Sequence, residues 1–189
     1  MAGVRVGLVS DTHGYLDRWL WPLFGGVERI LHAGDIGGYH LVRELATIAP
    51  VEAIRGNTDG FHSRYGELLT TAVAGTSIHI RHKVDLGPAA LSALARSIGA
   101  DVVLFGHSHR PFLEQRGRTL FVNPGSATKS RTGTNTAGIL VIDEAGLSVT
   151  IHELREGLPV YLAQRALEEP GTTIARAGER ASGGQSPAV

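Results

Sequence analysis

Four times along the chain, a short apolar run breaks off at a cluster that joins glycine to Asp, Asn or His. Val4-Arg5-Val6-Gly7-Leu8-Val9 meets Ser10-Asp11-Thr12-His13-Gly14, and Ile30-Leu31-His32 meets Ala33-Gly34-Asp35. Residues 51–54 meet Gly56-Asn57-Thr58-Asp59-Gly60, and residues 101–105 meet Gly106-His107-Ser108-His109. Apolar runs this short, bounded by turn-forming residues, read as buried strands. Helices are predicted between the first three, over 16–24 and 39–48, the first limited by Pro22 and the second by Pro50. The resulting β-α-β-α-β alternation is that of parallel strands with crossover helices. In an open α/β sheet the loops at the carboxyl ends of the strands converge on one crevice, where ligands bind. One feature thus points to both a fold class and a site.

The rest of the chain changes texture. Residues 68–74 and 77–81 form an expected hairpin about Gly75-Thr76, and 88–98 a helix. Segments 112–115 and 120–122 are joined by Arg116-Gly117-Arg118, and 137–142 and 147–154 by Asp143-Glu144-Ala145-Gly146. The fold is therefore expected to begin doubly wound and close with antiparallel strands, as a two-sheet α/β sandwich. A length of 189 residues with 42% hydrophobic residues suits one domain with a core. That domain is expected over 1–167, with 168–189, rich in Pro, Gly, Ala and Ser, as a loose tail.

Composition removes several function classes. The 18 basic and 18 acidic residues cancel, which argues against a general nucleic-acid or membrane-surface binder. The absence of cysteine excludes disulfides, thiolate metal sites and cysteine nucleophiles. No targeting signal and no apolar run of the ~20 residues of a membrane span is seen, so a cytoplasmic location is expected. Nine histidines need an explanation.

Asp11, His13, Asp35, Asn57, His107 and His109 all fall just past an expected strand. In Ile78-His79-Ile80-Arg81-His82, period-2 alternation puts His82 on the apolar side as well. Asp11/His13 and His107/His109 are i, i+2 pairs, which in extended backbone point one way about 6.5–7 Å apart. Two carboxylates, an amide oxygen and four imidazoles suit first-row ions such as Mn, Fe, Co, Ni or Zn, and suit Ca or Mg poorly. Two divalent ions, two aspartates and a bridging hydroxide leave a net charge of +1, attractive to a phosphate oxygen.

These motifs, with Asn123-Pro124-Gly125-Ser126, resemble the calcineurin-like metallophosphoesterases over about residues 4–155. More narrowly, they resemble the small single-domain bacterial and archaeal phosphodiesterases. The resemblance implies a four-layer αββα sandwich of two mixed sheets flanked by helices, with a dinuclear site. One ion would take Asp11, His13 and His109, the other Asn57, His82 and His107, with Asp35 bridging. It implies hydrolysis of phosphate diesters, small molecules or nucleotides, by a hydroxide held between the ions, with Asp35, Asn57 and His107 as catalytic residues. Manganese is favoured, with Ni, Zn, Fe or Co compatible. Two departures stand out. Thr58 occupies the place where many superfamily members carry an acid His. Arg81-His82-Lys83-Val84 replaces the usual Thr-His-Gly-His, and Lys83 could repel the second ion or grip a substrate phosphate.

Other residues have blander readings. Asp59 is either an acceptor orienting a ligand or part of the Asp59-Gly60 turn. Asn123 and Ser126 are candidates for bonding substrate oxygens on the pocket floor. His32 is read as packed at a strand end, His79 and His152 as structural, and His40 and His62 as surface imidazoles within reach of a leaving group. Lys129, Arg131, Arg110, Arg116 and Arg118 form either a positive rim or a solvated hairpin edge. Trp19, Trp21 and Phe24 are read mainly as core, with a homo-oligomer left open. The competing function is a protein-interaction scaffold on the same fold, which has no need of all seven ligands.

Overall fold

The structure, a computed structural model, describes residues 3–60, 63–155, 159–165 and 175–176. Three parallel strands, β1 (Val4–Val9), β2 (Arg29–His32) and β3 (Val51–Ala53), lie in that order, linked by helices α1 (Leu20–Phe24) and α2 (Tyr39–Leu45). The hairpin is β4 (Leu68–Val73) and β5 (Thr76–Arg81), followed by α3 (Pro88–Ile98) and β6 (Val102–Leu104). Then come β7 (Pro111–Arg116), β8 (Thr119–Pro124), β9 (Thr136–Asp143), β10 (Gly146–Glu153), β11 (Pro159–Arg165) and β12 (Ala175–Arg176). They make two mixed sheets, β12-β11-β10-β9-β1-β2-β3 and β4-β5-β6-β8-β7.

Strand periodicity explains the layers. In β1, Val6 and Leu8 face the apolar space between the sheets, where they meet Ile78, Ile80, Val102, Leu104 and Val122 of the second sheet. Val9 faces the other way, into a second cluster with Leu20, Phe24, Leu41 and Leu45 from α1 and α2. Gly7 lies under α1, and a Cβ there would sit 3.0 Å from the Phe24 ring. In β6 and the residue after it the alternation repeats: Val102 and Leu104 point between the sheets, while Val103 and Phe105 pack with Leu91 of α3. Strands buried on both faces read as continuous apolar runs. The αββα sandwich follows, with α1 and α2 outside one sheet and α3 outside the other.

The differences from expectation are local. The first helix begins at Leu20 rather than 16, because the Asp17 carboxylate accepts the Trp19 N–H and the Asp17 carbonyl accepts the Leu20 N–H. The second ends at Leu45 rather than 48, where Thr47 and Ile48 switch to bonds three residues back before Pro50. Strand β11 carries no glycine-rich stop like those after the site strands, and only its pairing with β10 reveals it. Ala175–Arg176 of the expected tail pairs with Tyr161 and Leu162; the rest of 168–189 lies outside the described residues.

Candidate metal centre

Every predicted ligand loop leaves a strand at the same edge of the sandwich, and backbone bonds continue the pairing past the strand ends. Asp11 N–H donates to Gly34 O, His13 N–H to Asp35 O, and Gly106 N–H to His82 O. The i, i+2 pairs are not in extended backbone as their spacing suggested. Asp11, His13, Asp35, His107 and His109 all have left-handed φ, between 44° and 69°. Ala74 is the one other non-glycine described residue with positive φ. Such conformations disfavour residues with a Cβ and concentrate where the surrounding structure holds a functional geometry.

The turns bring ligand atoms of Asp11, His13, Asp35 and His109 within 4.8 Å of one another. His109 Nε2 is 3.1 Å from His13 Nε2 and 3.2 Å from Asp11 Oδ1. His82 Nε2 closes the inner side, 3.4 Å from Asp35 Oδ2 and 4.0 Å from Asp11 Oδ1. The His107 ring stands edge-on to His82, with centroids 5.3 Å apart. Asn57 is exposed and lines the same cavity as His82.

Two observations test whether this donor set fits a cation. Asp11 Oδ1 and His82 Nε2 are buried, face each other across the cluster, and have no hydrogen-bond partner. Unpaired buried polar atoms are costly, and a metal ion removes that cost. The tautomers agree. His82 Nδ1 donates to Ala33 O at 2.7 Å and His109 Nδ1 to Lys129 O at 2.7 Å, so in the neutral rings, the form a cation selects, both Nε2 lone pairs aim inward. Burial lowers the pKa of His13 and, with help from the Lys83 charge, that of His107. Burial would raise Asp35, but the His82 imidazole and the Thr58 N–H outweigh it and hold Asp35 well below the carboxylate range. Burial dominates at Asp11 and raises it. At His82 burial is overcome by the Asp35 carboxylate, the Ala33 carbonyl and Asp11, so its pKa rises.

Around the cluster stand residues whose work is positional. The Asp59 carboxylate accepts the N–H groups of Ile36, Gly37 and Gly56, fastening the Asp35 loop to the Asn57 loop. Asn123 and Ser126, expected against substrate oxygens, are instead wholly buried with their polar atoms used internally. Asn123 donates to Gly106 O and Ser108 Oγ and accepts the Gly125 N–H. Ser126 Oγ donates to Asp11 O and accepts the Lys129 N–H. These two residues brace the ligand loops. His32 is buried: its Nε2 meets Thr12 Oγ1 and its Nδ1 accepts the Gly34 N–H. Thr128, not singled out by sequence, donates to the carbonyls of Asp11 and Thr12. Its only sequence signal is its place just after Asn123-Pro124-Gly125-Ser126. His79 is held by Thr70, His40 is exposed, and His62 lies outside the described residues. Arg116 and Arg118 pair with Glu114 and Asp101, and both line a cavity on the face that carries α3. Phe24 is fully buried and Trp21 packs on the same cluster, while Trp19 is exposed.

The αββα sandwich thus carries, at its strand ends, a cluster of Asp and His side chains close enough to hold a metal ion. The sequence signature of the calcineurin-like phosphoesterase superfamily domain matches residues 4–145, and the chain belongs to that superfamily. A probable metallophosphoesterase of Methanothermobacter thermautotrophicus is 33% identical over 166 residues, covering 82% of this chain and 94% of its own. Phosphodiesterase YfcE of Escherichia coli is 38% identical over 175 residues, covering 77% and 91%. Among solved structures, Vps29 of Entamoeba histolytica complexed with zinc superposes with a TM-score of 0.70. It is 22% identical and covers 90% of this chain and 99% of its own, a likeness of fold. Among the described residues, no helix is long and apolar enough to cross a membrane.

Proposed function

We propose that this protein is a metal-dependent phosphodiesterase with a dinuclear centre, manganese being the favoured metal. The observation that carries the reading is the pair of orphaned buried atoms, Asp11 Oδ1 and His82 Nε2, facing each other beside an ionised Asp35. Asp11, His13 and His109 would hold one ion, and Asn57, His82 and His107 the other, with Asp35 serving both. Divalent ions bound there supply positive charge to a phosphoryl oxygen and lower the pKa of a water at neutral pH.

The chain's own residues do the rest. Asp35, held anionic by the His82 imidazole and the Thr58 N–H, would offset part of the charge of ions bound beside it. His13 and His107, with lowered basicity, stay neutral and present lone pairs rather than protons. Asn57, exposed at the mouth, contributes a neutral amide oxygen and adds no charge that would repel an anion. The open cavity of about 440 Å³ beside His82 would give room to an ester arm of the substrate.

The test is hydrolysis of bis-p-nitrophenyl phosphate by metal-stripped protein, with Mn, Ni, Zn and Mg added singly, beside an Asp35→Asn control. Metal-dependent turnover that the control lacks supports the esterase. Folded protein inactive with every metal would favour the interaction scaffold.

A further inference from the structure

A cavity of about 440 Å³ opens from the His82 side of the cluster, between the Gly56–Asp59 loop and the end of β5. Five charged side chains line it, and their pairing decides its character. Asp59 is held by three backbone N–H groups, which fix its carboxylate without cancelling its charge, so the three cations Arg55, Arg81 and Lys83 outweigh Asp59 and Glu67 by one. Glu67 is consumed by Arg55, at 2.7 Å. That leaves Arg81 and Lys83, for which the described residues supply no carboxylate within ion-pair distance. Arg81 Nε donates to Lys83 O at 2.9 Å, which holds the guanidinium against the Lys83 turn. Lys83 is exposed and adjoins the ligand edge closely enough for its charge to bear on His107.

We propose that this cavity is a specificity subsite for a phosphate-bearing ester arm, with Lys83 and Arg81 reading the second negative charge of the substrate. The proposal rests on the phosphodiesterase reading for its reaction, though not for its binding. The scissile phosphate belongs over the Asp/His cluster. The two cations stand on the cavity wall beside it, where a substituent of the diester would lie. An ammonium and a guanidinium without protein carboxylates offer a second phosphate charge-assisted hydrogen bonds that a neutral arm cannot take. Preferred substrates are therefore phosphodiesters carrying a further phosphate on one arm, such as nucleotide derivatives with an additional phosphomonoester.

Two p-nitrophenyl phosphodiesters test this, one with a methyl arm and one with an arm ending in a phosphate. The ratio of kcat/KM for charged over neutral arm should fall about tenfold or more in Lys83→Met. It should be restored by Lys83→Arg and decline with ionic strength in the parent protein. Equal losses on both substrates would overturn the subsite, because Lys83 would then act on the scissile phosphate. An unchanged ratio with altered metal content in Lys83→Met would overturn it in favour of control of ion occupancy. A second readout needs no turnover. Inorganic phosphate titrated into metal-free protein should shift the amide resonances of Gly56, Asn57 and Lys83 saturably, and the shift should vanish in Lys83→Met. Phosphate binding without turnover of either ester would remove the phosphodiesterase reading and leave the subsite standing. Turnover with no phosphate-induced shift and no charge preference would remove the subsite alone.

Discussion

The Nε2 atoms of His13 and His109 lie 3.1 Å apart, and the His109 Nδ1 bond to Lys129 O makes its Nε2 a lone pair aimed at His13. In the metal-free protein His13 Nε2–H can donate to that lone pair, but Asp11 Oδ1, 3.2 Å from the same His109 nitrogen, and His82 Nε2 are buried without a hydrogen-bond partner, and a cation would satisfy both. Stability should therefore depend on metal. Ligand at about 100 times its Kd adds roughly 2.7 kcal/mol to a folded protein that binds it. At this chain length that is a rise of about 5–10 °C in Tm. Mn or Zn added to chelator-stripped protein should give that rise in differential scanning calorimetry, and Asp11→Asn should lose most of it. An unmoved Tm, with no metal retained by elemental analysis, would remove the cation from this site.

His32 supplies a pH-dependent contribution away from the ligands. Burial lowers its pKa from 6.5 to about 4. The neutral ring donates through Nε2 to Thr12 Oγ1, which donates on to Ile36 O, while Nδ1 accepts the Gly34 N–H. The unfolded chain takes up a proton near pH 6.5 that the folded chain refuses until about pH 4. Stability from this group is therefore full above pH 6.5, falls between 6.5 and 4, and is flat below. About 2.5 units at ~1.4 kcal/mol per unit makes the loss roughly 3 kcal/mol. His13 and His107, also lowered, act with the same sign; His82, raised, loses its contribution as pH climbs above 6.5; Asp35, lowered, loses its contribution as pH falls from 3.8, and Asp11, raised, disfavours folding as pH rises above 3.8. The difference between parent and His32→Gln isolates one group. Urea midpoints at pH 7 and pH 4.5 should converge for the variant relative to the parent. Equal slopes in the two proteins would show that His32 is not the source.

What was readable from sequence, and what was not, divides along a physical line. Strand-end placement of Asp11, Asp35 and His107 needs only an apolar run and a stop, both local, and the crevice rule then gathers them. His82 came from alternation with Ile78 and Ile80, also local. The backbone of the Asp11/His13 and His107/His109 pairs is not legible in the same way: their spacing suggests extended geometry, and the chain instead adopts left-handed turns fixed by contacts between loops distant in sequence. The same cause hid Asn123 and Ser126. Their bonds reach back to Gly106 and to Asp11, 17 and 115 residues away, and nothing in Asn-Pro-Gly-Ser announces those partners.

Asp59 joins two ligand loops that share no strand. Its three acceptor bonds hold Ile36 and Gly37 beside Gly56, and with them the position of Asp35 relative to Asn57. Asp59→Ala leaves three N–H groups without an acceptor, at about 1–3 kcal/mol for each that water cannot reach. Loss of such a support typically weakens metal binding 10–100-fold. Both effects should appear together, a lower Tm for the metal-free protein and a higher metal Kd by isothermal titration. A stable variant with parental metal affinity would reduce Asp59 to an ordinary turn residue.

Gly56 offers a sharper probe of Asp35. A Cβ at this position would overlap Asp35 Oδ1 and the Asp35 backbone nitrogen and come within 2.8 Å of its carboxyl carbon, so the Asp35 loop would have to shift as well as its carboxylate. The carboxylate would have to turn away from Thr58 N–H, its partner at 2.9 Å, and from the centre of the cluster. Gly56→Ala is thus expected to lower metal affinity at least tenfold, an effect on the order of that from losing a supporting group. Gly75→Ala, at a hairpin turn with open space around it, should cost stability through its positive φ and leave metal binding intact. Comparable metal loss in both variants would mean that general destabilisation, not Asp35, sets the affinity.

Thr58 bears on how the leaving group departs. Its N–H is committed to Asp35 Oδ1, and its exposed hydroxyl is far too weak an acid to protonate an alkoxide near neutrality. General acid assistance is ordinarily worth 10²–10⁴-fold, and it matters most for basic leaving groups. Without it, the rate should fall steeply as leaving-group pKa rises, so nitrophenolate esters are cleaved far better than alkyl esters. Thr58→His places an imidazole at the mouth of the cluster and should flatten that dependence, mainly by speeding the poor leaving groups. The measurement is a series of aryl and alkyl phosphodiesters, with single-turnover kinetics showing that the chemical step limits the rate. A flat dependence in the parent protein under those conditions would mean that another group already delivers the proton.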